Sequence, residues 1–168
     1  MRLFWIINAA FFQLCWWSAA LLTEYAVWIM SAILIIHLML SPRKLDDLKL
    51  LPIAGVGICC DQLLIAVDVI NVNQSLIPAW LVLLWVILAW SFNHSLMWLR
   101  LLKPWQVSIT GGILGSVSYL AAINLGAIST SLSLANFIII DAILWSFLLP
   151  LFELIQRKFV PQKEDQYV

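Results

Sequence analysis

The sequence predicts an all-α, polytopic membrane protein: six transmembrane helices in one compact bundle, with both termini cytoplasmic. Three observations predict it. Of 168 residues, 64% are hydrophobic and 11% charged, whereas a soluble domain carries about 45–50% apolar and 25% charged residues. A chain this short cannot bury so much apolar surface in one aqueous core. That excludes a soluble enzyme, a nucleic-acid binder and a disordered segment. The apolar residues also fall into runs close to the ~20 residues that one bilayer crossing needs. Finally, all nine cations sort to one side of that arrangement.

The runs justify themselves in order. Residues 3–22 and 25–40 come from one apolar stretch interrupted only at Thr23 and Glu24. It is too long for a single crossing, so it reads as a tight hairpin. Arg2 and Ser18-Ala19-Ala20 give the first run the outline of a secretory signal. Asn8, Gln13 and Trp16-Trp17 sit badly in such a segment, and a retained helix is expected. The connection 41–52 opens with Ser41 as N-cap and Pro42 at the first helical position. Leu45, Leu48 and Leu51 then share one side among Arg43, Lys44, Asp46, Asp47 and Lys49. The pattern fits a short helix on the membrane surface or a polar connector.

Further crossings are read over 51–70, 79–99, 109–128 and 132–154, with a polar cytoplasmic tail over 155–168. The run 109–128 carries Gly111-x-x-x-Gly115 and Tyr119 at the same spacing, a stripe that lets helices approach closely. Arg2 precedes the first crossing, and Arg43, Lys44 and Lys49 follow the second. Arg100 and Lys103 follow the fourth; Arg157, Lys158 and Lys163 follow the sixth. The other three connections carry no cation, so the positive-inside rule makes the basic side cytoplasmic.

Depth then follows at about 1.5 Å per residue. Asn8, His37, Asn93, His94 and Glu153 fall near the cytoplasmic edge. Gln13, Asp61, Gln62, Tyr119 and Asp141 fall around the midplane; Asp68, Asn124 and Asn136 lie toward the outside. Ionisable groups in a span are expensive and usually face the interior. Asp61 and Asp68, seven residues apart, are expected on one helix face with Gly57. No Lys or Arg lies within a span, so Asp61 and Asp141 need hydrogen-bond partners such as Tyr119, Gln13, Gln62 or a neutral histidine. His37 and His94 are expected near Glu153 and Asn8 in one cytoplasmic-side pocket. Trp85, Trp90 and Trp145 are expected deep enough to line a pocket. A shift of 80 residues pairs Trp5 with Trp85, Gln13 with Asn93 and Asp61 with Asp141, a faint trace of an inverted repeat.

Several chemistries lack their motifs. Two histidines cannot supply a membrane di-iron centre, and Cys15, Cys59 and Cys60 have no zinc-like spacing. Neither a G-x-S-x-G turn nor H-E-x-x-H occurs. The expectation is therefore no cofactor and no metal; catalytic residues and oligomeric state stay open.

Asn8-x-x-x-Phe12-Gln13-x-x-Trp16, Asp61, Pro78-x-Trp80 and Leu84-Trp85 occur in that order. His94-Ser95-Leu96, Trp98-Leu99, Gly115-x-x-x-Tyr119 and Leu125-Gly126-Ala127 follow. This ordered set resembles a family of short bacterial inner-membrane proteins catalogued only as a domain of unknown function. The likeness runs from the first crossing to the end of the fifth and leaves Asp141 outside. It implies no established activity; it does imply a lipid-modification setting beside fatty-acyl methyltransferase-like and flavin-dependent partners.

The expected function is thus a multi-pass inner-membrane protein that partners or binds in fatty-acyl and membrane-lipid modification. Its expected contacts are membrane lipid and peripheral lipid-modifying enzymes, not nucleic acid. A proton-linked transporter using Asp61, Asp68, Tyr119 and Asp141 is the first alternative. An intramembrane enzyme using His37 or His94 with Asp61 is the second.

Overall fold

The computed structural model describes residues 2–161 and is helical throughout. Helix α1 (Arg2–Leu21) and α2 (Thr23–Leu40) form the expected hairpin, turned at Leu22 with the Tyr25 N–H donating to its carbonyl (2.8 Å). Helix α3 (Lys44–Lys49) is the short amphipathic helix. It leaves Leu45 and Leu48 exposed and turns Asp47 inward, fully buried. Helix α4 (Leu51–Ala66) follows directly, then α5 (Ala79–Ser91), α6 (Pro104–Asn124) and α7 (Leu134–Phe159).

Five stretches are long and apolar enough to cross a membrane: α1, α2, α3 with α4, α6 and α7; α5 is a shorter apolar helix. Their outward residues are apolar, Trp28, Phe147 and Leu63 among them, as lipid contact requires.

Four expected runs change their bounds: 51–70 is helical only to Ala66, and the other three move for local reasons. The run 79–99 is helical only to Ser91. Beyond it, Phe92–Leu96 winds through tight turns into a 3₁₀ segment, Met97–Leu101. Irregular backbone at that depth is tolerated only inside protein, and Phe92, Asn93 and His94 are all buried. The run 109–128 begins at Pro104, whose missing N–H costs nothing at a helix start. The Lys103 N–H donates to Gln106 Oε1 (2.9 Å) at that same end. The run 132–154 opens at Leu134, where the Asn136 N–H donates to Ser133 Oγ (3.3 Å), and extends to Phe159. At about 1.5 Å per residue α7 is longer than the ~30 Å hydrocarbon layer, and the first five residues of the expected tail, 155–159, belong to it. Residues from 162 on, with Lys163, lie outside the described residues.

Helix α5 packs on α1, α2 and α4, while α6 and α7 make the most intimate pair in the molecule. The reason is small residues. A Cβ at Gly111 would press on the Trp145 carbonyl, and one at Gly112 would sit 2.7 Å from Ser146 Oγ. At Gly115 it would overlap the Trp145 indole. The expected stripe therefore does bring these helices together.

Both ends of the bundle are tied. At one end Asn71 and Ser129 pair their backbones in an antiparallel bridge (2.8 and 2.9 Å), joining the α4–α5 and α6–α7 connections. At the other, Arg100 donates to the carbonyls of Gln156 (3.0 Å) and Val160 (2.7 Å), capping α7, and Arg157 donates back to the Arg100 carbonyl (2.9 Å).

Candidate functional site

Two separate polar clusters and one apolar cleft carry the unusual chemistry of the bundle. The first cluster lies where α2, α3 and the turn after α5 meet. Asp47 is its centre. Asn93 Nδ2 donates to Asp47 Oδ1 (2.7 Å), and His94 Nε2 approaches the same oxygen at 2.9 Å. Ser41 Oγ donates to Oδ2 (2.5 Å), and His37 Nε2 lies 3.3 Å from it. All five side chains are buried. Trp90 stacks on His37 with centroids 4.9 Å apart, and Phe4 meets both imidazoles edge-on. Burial by itself raises the Asp47 pKa. The hydrogen bonds from His37, His94, Asn93 and Ser41 outweigh it and hold the carboxyl well below its ordinary range.

The second cluster lies in the middle of the bundle. Asp61, on α4, receives Trp85 Nε1 from α5 on Oδ2 (2.6 Å) and the Tyr119 hydroxyl from α6 on Oδ1 (2.6 Å). Three helices are thereby tied at one buried carboxyl. Trp85 fits against Gly57, where a Cβ would overlap its ring, and stacks on Trp145 of α7 (5.6 Å, 12° between planes). Asp141 lies one turn before Trp145. It is buried, and neither of its carboxyl oxygens has a hydrogen-bond partner.

Beside this cluster runs a cleft of about 540 Å³ between α1, α5, α6 and α7, within the roughly 300–1,000 Å³ usual for small-molecule sites. Trp16, Trp80, Trp85, Trp98, Tyr119 and Trp145 supply most of its aromatic wall. It extends from Ser95 and Trp98 at one end to Ala127 and Ile128 at the other. Its rim includes Leu114 and Val117, more than half exposed in the middle of α6, so it opens sideways. Trp16 Nε1 donates to Ser118 Oγ (2.9 Å), joining α1 to α6 beside it.

The expected residues are thus divided rather than convergent. His37 and His94 do meet, but without the other two residues expected there. Asn8 Oδ1 accepts from the Ser95 hydroxyl (2.5 Å), and Glu153 pairs with Arg157. Tyr119 is the Asp61 partner; Gln13 is exposed and lines the cleft, while Gln62 bonds the Ser75 carbonyl (3.0 Å) and the Ile77 N–H (2.8 Å). The shared face of Asp61 and Asp68 does not form. Helix α4 ends at Ala66, and Asp68 lies exposed in the following turn with a left-handed φ of 59°. Trp85 and Trp145 line the cleft as expected, whereas Trp90 serves the histidine cluster. The pairing of Gln13 with Asn93 joins an exposed mid-helix residue to a buried turn residue, so those positions are not structural equivalents.

Two participants carry no signal in the sequence. Asp47 is one of five charges around the leucine side of a short helix, and nothing in that pattern singles it out for burial. The role of Trp85 as a donor to Asp61 depends on how α4 and α5 pack.

One family pattern, described as a protein of unknown function (DUF2878), matches residues 5–151. The chain belongs to the DUF2878 family. The match takes in α7 as far as Leu151, and with it Asp141, which the resemblance had left outside. No curated protein and no solved structure matches the chain.

Proposed function

We propose that this DUF2878 member is a six-helix protein of the bacterial inner membrane with both termini cytoplasmic. In this reading it binds a lipid acyl chain in its lateral cleft and serves fatty-acyl or membrane-lipid modification as the membrane-embedded binding partner of peripheral enzymes. The observation that carries the reading is the cleft. It is apolar, sized for a small molecule and open sideways at mid-helix depth, where a lipid chain enters without crossing water. An apolar chain there would pack against the Trp80, Trp85 and Trp145 faces by van der Waals contact, the force that acts where lipid tails take the place of water. The basic residues at the Arg100–Arg157 end support the orientation.

Lipid analysis of the detergent-purified protein tests the proposal. Wild type should retain a defined lipid, and Ala122→Trp, which places an indole in the cleft, should lose it. Equal, unselective lipid in both proteins rejects the reading. Single cysteines at Asn73 and Lys103 should label from opposite sides of the membrane. An unchanged lipid profile after gene deletion rejects the modification role.

One observation favours a proton-linked transporter as a second reading: the Asp141 carboxyl, buried without a partner among the described residues. It predicts that Asp141→Asn abolishes pH-dependent uptake while the protein still folds; uptake that persists in this variant rejects it.

A further inference from the structure

Buried charges in proteins are paired or coordinate metals. Asp47 is fully buried, yet the nearby cations serve its neighbour: Arg43 and Lys49 both pair with Asp46, at 3.1 and 2.9 Å. Among the described residues, only imidazole, amide and hydroxyl groups face Asp47. The Nε2 atoms of both histidines in the chain point at its two oxygens, from α2 on one side and the post-α5 turn on the other.

That is a metal-ligand constellation. Two imidazole nitrogens and one carboxylate oxygen lie within 4.8 Å of one another. Ser41 Oγ lies 3.4 Å from His94 Nε2 but only 2.5 Å from Asp47 Oδ2, the separation of a hydrogen bond and not of two ligands. Around a tetrahedral zinc with bonds of about 2.0–2.1 Å, neighbouring donor atoms stand roughly 3.3 Å apart. The two histidines meet different oxygens of the carboxylate, His94 Nε2 at 2.9 Å from Oδ1 and His37 Nε2 at 3.3 Å from Oδ2, each within a few tenths of an ångström of that spacing. The surroundings are also those of a metal site. Asn93 bonds the carboxylate from outside the set, as outer partners of ligands do. Phe4 and Trp90 wall the imidazoles from water. His37 Nδ1 has no partner among the described residues; an ion on Nε2 would put the ring proton on Nδ1, which metal-bound imidazoles usually donate to a neighbour, so this atom lends the site no support.

We propose that His37, Asp47 and His94 bind one divalent first-row transition-metal ion of the Zn²⁺ class. The nitrogen-rich donor set suits zinc and its neighbours rather than Mg²⁺ or Ca²⁺, which take oxygen ligands. All three ligands are buried, and the ion clips α3 to α2 and to the turn after α5. The proposal stands independently of the lipid cleft, which none of these residues line.

The test uses full-length protein purified in detergent without chelator. Elemental analysis should find about one equivalent of metal per chain. Stripped protein should take up Zn²⁺ or Co²⁺ at that stoichiometry, with the visible spectrum of a four-coordinate Co²⁺ centre and a rise in Tm. His37→Gln and His94→Gln keep a side-chain N–H near Asp47 but remove the imidazole. They should weaken Co²⁺ binding by more than the ~10–100-fold that loss of an outer partner costs. Asp46→Asn should bind as wild type. A folded, monodisperse wild type that takes up neither Zn²⁺ nor Co²⁺ overturns the proposal, as does Co²⁺ binding unchanged in both Gln variants.

Discussion

Two glycines of α4, two residues apart, provide the sharpest test of how the midplane site is built. A Cβ at Gly57 would overlap the Trp85 ring, whereas a Cβ at Gly55 would meet nothing within 4 Å. Gly57→Ala must therefore push α5 away or drive Trp85 off its seat. Overpacking of this kind costs typically 1–3 kcal/mol. A displaced Trp85 also weakens its bond to Asp61 (2.6 Å) and its stack on Trp145. The bond is worth about 0.6 kcal/mol by membrane-protein averages, and the aromatic pair about 0.5–1.5 kcal/mol. Gly55→Ala adds only helix propensity, a gain of about 0.5–1 kcal/mol. Gly57→Ala gains the same propensity, so the two substitutions should differ by about 2–5 kcal/mol in unfolding free energy, with opposite signs. Equilibrium unfolding in bicelles, followed by circular dichroism, measures the difference. Equal effects of the two alanines would refute the seating of Trp85 against Gly57, and with it the geometry of the Asp61 cluster.

Other expectations follow from the same contacts. Tyr119→Phe removes one of the two donors to Asp61 and should cost about 1–3 kcal/mol in the same assay; no loss would mean that the hydroxyl is not engaged. Arg100→Ala removes the cap on the Gln156 and Val160 carbonyls, so trypsin should cleave at Arg157 and Lys158 faster than in wild type. Asp47 has a folded pKa below its unfolded value of about 3.9. Its contribution to stability is present above that value and lost as pH falls through the lower, folded pKa. Asn93→Ala removes one donor, so metal-free variant protein should be less stable at neutral pH, with a smaller further loss on acidification below about 4.

Much of the fold was legible because a bilayer imposes rules that act on single residues. Apolar run length marked five crossing-length stretches and the α1–α2 hairpin. Ser41-Pro42 with three spaced leucines marked α3, and Gly111 and Gly115 marked the tight face of α6. The end of α5 at Ser91 was not legible, because no Gly or Pro marks a break before Pro104, and Asn93, His94 and Ser95 read equally well as the polar edge of a longer span. Its turns are stabilised by partners elsewhere, including the Gln156 side chain, which donates to the Phe92 carbonyl.

The site divides along the same line. Sequence by itself determined which residues are costly at their depth, Asp61, Asp141 and the two histidines among them. It offered Tyr119 as one of several partners for Asp61, beside Gln13, Gln62 and a neutral histidine, and only the structure chose Tyr119 and left Asp141 without a partner among the described residues. Only the tertiary structure decided lateral position. Depth along a helix is set by residue number, but the rotation of each helix about its axis depends on packing against its neighbours. Packing brought Asp47 between His37 and His94 and opened the cleft between α1 and α6, while the end of α4 at Ala66 left Asp68 in a turn.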